Sequence, residues 1–100
     1  MDSEQLILIL KALSDSNRLA IFLKLTEGEA CVCELLKVFS ITQGTLSHHM
    51  RILSEADLVV GRRDGKWIHY AVNTATFSAF QTYIGSITFT TDPLEACPCV

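Results

Sequence analysis

Charge is scarce in this chain, and so are the residues that usually punctuate structure. Only 19% of its 100 residues are charged, and it holds two prolines and five glycines. No repeat, low-complexity tract or linker interrupts it, so it reads as one domain, 1–100, with room for a single modest core. Long apolar runs are missing too. The stretch Leu6 to Leu10 is far too short to span a bilayer, and Asp2 and Glu4 precede it where a secretory signal would carry positive charge. A cytoplasmic location with no membrane partner is therefore expected. No Ser/His/Asp set, phosphate loop or pair of carboxylates stands out, and no C-x-x-C motif accompanies a βαβ pattern. The expectation is no enzyme and no organic cofactor.

What is present is hydrophobic. Apolar residues make up 49% of the chain, more than so small a surface readily hides, and a homodimer is the simple explanation. The net charge of −3 is unevenly placed. Residues 1–40 carry four basic and six acidic side chains, and residues 74–100 carry two acidic and no basic ones. The middle, 41–73, has four basic side chains against three acidic, with all three histidines. Any nucleic-acid surface belongs there.

The element pattern is mainly α. Residues 3–13 are apolar on nearly every face, and periodicity alone leaves helix and buried strand both open. Ser14 and Asp15 offer a cap for a second helix that runs through Arg18, Ile21, Phe22 and Leu25 and stops at Gly28. A short third helix fits from Cys31 or Val32 to Phe39. Thr42 is placed to cap a fourth, in which Leu46, Met50 and Leu53 recur at i, i+4 and i+7. Opposite that stripe fall Gly44, Ser47, His48, Arg51 and Glu55, a polar face. Two helices joined by a tight turn, the second with such a face, form a helix-turn-helix over 31–56.

The next segment sharpens this. Leu58–Arg63 and Lys66–Val72 are strand-like runs joined by Asp64-Gly65, a dipeptide suited to a type I′ hairpin turn. Arg62, Arg63 and Lys66 cluster at its tip, which makes the 58–72 hairpin a basic wing. A last helix, Ala75–Ile87, spaces Phe77, Phe80, Ile84 and Ile87 apolar-wise and is expected to pair with the first helix across a dimer. A cysteine-containing tail, 88–100, follows. The predicted fold is a homodimeric winged helix-turn-helix.

These residues resemble the ArsR/SmtB family of metal- and metalloid-responsive repressors over roughly residues 5–75. Leu13-Ser-Asp-Ser-Asn-Arg-Leu19 is similar to the start of that family's second helix. Thr42–Met50, with Ser47-His48-His49-Met50, resembles its recognition helix, and Leu58–Lys66 through Tyr70 resembles its wing. Cys31-Val-Cys-Glu-Leu35 is similar to the signature of the arsenic-sensing branch. The resemblance implies a repressor of a metalloid-resistance operon, released from double-stranded operator DNA when trivalent arsenic or antimony binds cysteine thiolates. That branch carries a third cysteine three residues beyond the pair, where this chain has Leu36. Cys97 and Cys99 form a second C-x-C pair able to supply it. Residues 75–87 hold no His, Asp or Glu, unlike the zinc-sensing branch, and no cysteine precedes Cys31.

On this reading Gln43, Thr45, Ser47, His48 and Arg51 face the major groove, where amide and guanidinium groups read base edges and hydroxyls hold phosphates. Arg62, Arg63 and Lys66 lie on the backbone or in the minor groove. The alternative is a solvated face on a winged fold used for protein contacts. His49 falls near the apolar flank of its helix, where a packed, hydrogen-bonded role competes with a DNA contact. His69 is expected to be exposed on the outer face of the second wing strand.

The metal candidates are Cys31, Cys33, Cys97 and Cys99, because soft thiolates select trivalent arsenic or antimony with three sulfurs, or cadmium or zinc with four. Other readings are a thiolate sensor of cadmium, zinc or lead, a thiol redox regulator, or small buried cysteines with incidental tail thiols. Residues two apart on a helix point about 200° apart, so capture of one ion by Cys31 and Cys33 is expected to unwind the start of the third helix. The helix N-terminus also favours the thiolate.

Overall fold

The computed structural model describes residues 1–93. Helix α1, Ser3–Leu13, begins at Asp2, whose carboxylate accepts the Gln5 backbone N–H. Tertiary packing settles its helix-or-strand ambiguity: Ile9 and Ala12, three apart, are wholly buried, while Ile7, Leu8 and Leu10 stay about half exposed. Helix α2, Ser16–Leu25, is capped by Asp15 and turns Ile21, Phe22 and Leu25 into the core. It ends three residues before the expected stop at Gly28. Thr26 closes it, bonding back to Leu23, and Gly28 takes φ +144° in the turn beyond.

A two-residue strand, β1 (Ala30–Cys31), comes next. Two residues are too few to carry a period, so nothing in the sequence announced it. Helix α3, Val32–Phe39, stops where Ser40 enters the left-handed region at φ 51°. Helix α4, Gln43–Glu55, follows the Thr42 cap. Strands β2 (Val59–Asp64) and β3 (Trp67–Val72) form the hairpin, and β1 adds to its other edge to give the antiparallel order β1-β3-β2.

The hairpin turn lies one residue later than expected. Asp64 pairs with Trp67, so Gly65 and Lys66 form the loop. Gly65 has φ +63° while Lys66 does not share a positive φ, which is the φ signature of a II′ turn rather than I′. Helix α5, Thr74–Ser86, has Asn73 as its cap and no fully buried residue. Phe77 anchors it, edge-on to Phe22 with centroids 4.9 Å apart.

The core joins these pieces. Phe22, Leu35, Leu46, Met50, Leu53 and Leu58 are each 1% exposed or less, so α2, α3, α4 and the start of the wing share one apolar centre. Each such side chain contributes about 1.5–3 kcal/mol relative to exposure. No described helix is long and apolar enough to cross a membrane.

Candidate nucleic-acid interface and thiol pair

The orientation of α4 follows from its stripe. Thr42 Oγ1 accepts the Thr45 backbone N–H at 3.1 Å and starts the helix, and Leu46, Met50 and Leu53 lock its inner face. Gln43, Thr45, Ser47, His48 and Arg51 are left exposed. Three of them are partly organised by neighbours. Arg51 Nη2 lies 3.3 Å from His48 Nδ1, and the Thr42 hydroxyl donates to Thr45 Oγ1 at 2.9 Å.

The three wing cations are exposed but not equivalent. Adjacent strand residues point to opposite faces, so Arg62 and Arg63 diverge. Arg62 Nη2 donates to Glu29 Oε1 at 2.6 Å, an engagement that sequence reading missed because Glu29 lies 33 residues away. Lys66 Nζ sits 5.6 Å from the centroid of the Trp67 ring. Trp67 and Ile68 face Val32, Leu36 and Gln43 across a cleft of about 110 Å³, so the hairpin is seated beside both helices of the reader.

His49 is buried, with 7% exposure, as the packed reading expected. Its Nδ1 lies 3.4 Å from Arg18 Nη1. Burial foremost holds its pKa below the usual histidine value; Arg18 and His48 add to this and Asp15 opposes it. His69 corrects expectation. It is half-buried, 3.6 Å from Glu29 Oε1 and 3.9 Å from Asp64 Oδ2, because β3 is the central strand rather than an edge.

Cys31 and Cys33 are free, half-buried thiols, and their geometry also departs from expectation. Cys31 is the last residue of β1 and the N-cap of α3, with extended φ −85° and ψ 161°, while Cys33 is the second helical residue. The 200° separation applies only within a helix. Here Cys31 is extended and only Cys33 is helical, so that separation does not describe this pair. A hydrogen bond from the Cys33 thiol is the main influence lowering the Cys31 pKa, helped by the Glu34 and Cys33 backbone amides at the start of α3. The same hydrogen bond, then burial, then the neighbouring Cys31 charge push Cys33 upward. Among the described residues, no group of three or more His, Cys, Asp or Glu is placed to hold a metal ion. Cys97 and Cys99 lie outside the described residues.

Residues 15–60 match the family described as bacterial regulatory protein, arsR family. The arsenical resistance operon repressor of Staphylococcus aureus is 48% identical over 75 residues, which cover 75% of this chain and 72% of that protein. Among solved structures, an ArsR family transcriptional regulator is similar with a TM-score of 0.76 and 27% identity, over 85% of this chain and 88% of the other. The homodimeric winged helix-turn-helix DNA-binding domain from Mycobacterium bovis is similar with a TM-score of 0.70 and 25% identity, over 82% and 77% of the two chains. The chain therefore belongs to the arsR family of bacterial regulatory proteins, DNA-binding transcriptional repressors whose helix-turn-helix and wing it carries.

Proposed function

We propose that this chain is a cytoplasmic, homodimeric repressor of a metalloid-resistance operon, released from operator DNA when trivalent arsenic or antimony binds Cys31 and Cys33. The observation that carries the reading is the double membership of Cys31, which ends a strand of the wing sheet and caps the first helix of the reader. Gln43, Thr45, Ser47, His48 and Arg51 contact the major groove, while Arg62, Arg63 and Lys66 hold the backbone or minor groove. The half-exposed Ile7, Leu8 and Leu10 of α1 and Ile84 of α5 supply a dimer surface, which sets the spacing of two recognition helices.

The donor set fits a soft, thiophilic guest. Two neighbouring thiols are available, and Cys31 starts nearer the thiolate that binding requires. Closing both sulfurs on one guest ties the end of β1 to the second residue of α3, and so moves the wing and the helix-turn-helix relative to each other. Cys97 or Cys99 supplies the third sulfur. A coupling of roughly 1–3 kcal/mol per site is enough to release an operator.

The test is operator release titrated with arsenite, cadmium and zinc for wild type, Cys33→Ser and the Cys97→Ser/Cys99→Ser double variant. Arsenite is expected to release the wild type and to fail with Cys33→Ser. A Cys33→Ser protein that responds normally sinks the proposed site. An unaffected double variant removes the tail from the ligand set, and preferential release by cadmium or zinc favours the metal-sensor alternative.

A further inference from the structure

Arg18 holds three elements at once. Its Nε donates to the Ala12 carbonyl at 2.8 Å and its Nη2 to the Lys11 carbonyl at 3.5 Å, both in the last turn of α1; the Lys11 carbonyl also accepts from the Ser14 backbone N–H and hydroxyl. Its Nη1 reaches His49 Nδ1 at 3.4 Å. Its own backbone N–H is taken by the Asp15 cap at 3.0 Å, which anchors it at the start of α2. A guanidinium has five donors, no acceptor and no accessible neutral form. The contact is therefore a hydrogen bond only with a neutral imidazole whose Nδ1 is bare and whose proton sits on Nε2.

His49 is the one buried polar or charged side chain among the described residues, and it is next to His48 on α4. We propose that Arg18 and His49 are a positioning pair for DNA reading: neutral His49 accepts from Arg18 and seats the recognition helix on the α1–α2 corner, whereas its imidazolium repels Arg18 and loosens that seat. The inference rests on the reading of α4 as the DNA-contacting helix. It also links that helix directly to α1, whose outer face is the apolar one. The groups facing His49 are Asp15 and Arg18 from α2 and His48 from α4; α1, α3 and β2, also packed on α4, present none. Asp15 favours the imidazolium, and Arg18, His48 and burial oppose it.

The probe is an operator duplex selected by the wild-type protein from a random-sequence pool. His48 is exposed on the face of α4 assigned to DNA, so the pH profile is measured in a His48→Gln background. Affinity there is expected to fall about tenfold between about pH 7.5 and about pH 5.5, and added His49→Asn flattens the profile. A fall that persists with His49→Asn overturns the proposal. At the higher pH, His49→Ala loses about tenfold in affinity and His49→Asn, whose Oδ1 replaces the Nδ1 acceptor, recovers most of it. An Asn variant no better than Ala also overturns it. Long-range 1H–15N spectra of the free wild-type protein read the tautomer without DNA. A proton on Nε2 is expected, and a proton on Nδ1 at neutral pH dismisses the pair. Wild-type affinity in Arg51→Ala would instead overturn the DNA reading of α4.

Discussion

Cys31 stands directly across the β1–β3 pair from His69. His69 in turn stands across the β3–β2 pair from Arg62, so the three occupy one row on one face of the sheet. Glu29 lies over this row, 2.6 Å from Arg62 and 3.6 Å from His69. The thiol strand and a wing cation are thus two strands apart, with a carboxylate paired to the cation and close to the histidine between them.

That carboxylate competes with phosphate for Arg62. In Glu29→Gln the guanidinium is free to pair with DNA, and a repulsive charge near the wing is gone. The slope of log affinity against log salt is expected to steepen by about one, with tighter binding at low salt. Because the pair is exposed, folding stability should change little. A slope equal to wild type would show that Arg62 never reaches phosphate.

The two thiols should react unequally. Cys31 is held below the ordinary thiol range by the Cys33 hydrogen bond and the α3 amides, and Cys33 is pushed above it. Near neutral pH, limiting iodoacetamide should alkylate Cys31 first, as read by peptide mass spectrometry. In Cys33→Ser the Ser hydroxyl can still donate, so Cys31 should keep much of its reactivity, whereas Cys33→Ala slows it. Equal labelling of both thiols in wild type contradicts the assignment.

Removing the cap of the recognition helix has a local cost. Thr42→Ala loses the acceptor for the Thr45 N–H and is expected to destabilise the fold by about 1 kcal/mol. In a chain this size that lowers Tm by about 4–8 °C, measured at fixed protein concentration. Thr42→Ser should recover most of the loss, and a Tm unchanged in Thr42→Ala would show that the cap is dispensable.

Acid should weaken the fold as well as the complex. The folded-state pKa of His49 is depressed, so its contribution is fully present above the unfolded value of 6.5 and is lost as pH falls through the lower folded value. Thermal melts of the free protein should show Tm falling below about pH 6.5, and His49→Asn should remove that part of the decline. An identical decline in the variant assigns acid sensitivity to other groups.

The helix-turn-helix and the wing were legible because each rests on local chemistry. A Thr cap, an apolar recurrence at Leu46, Met50 and Leu53, and strand-like runs flanking a glycine turn are all written within a few residues of one another. Two thiols at the start of α3 were legible for the same reason. Local reading erred where geometry depends on a residue's exact place in an element: the end of α2 at Leu25 and the II′ loop at Gly65-Lys66; of the two starts open for α3, Cys31 or Val32, the structure takes Val32 and leaves Cys31 as the cap.

The sequence by itself determined which residues could read DNA and which could bind a soft ion, since hydroxyl, guanidinium and thiol chemistry travels with the side chain. Only the tertiary structure decided which of them meet. Strand β1 exists because β3 offers it an edge, and that pairing places Cys31 beside His69, which Glu29 approaches from the Arg62 side. Likewise Arg18 reaches His49 across 31 residues because the core folds α1, α2 and α4 around Ile9, Phe22 and Met50. Contacts of that range are set by burial of apolar surface, which is non-directional and leaves no local signature in the chain.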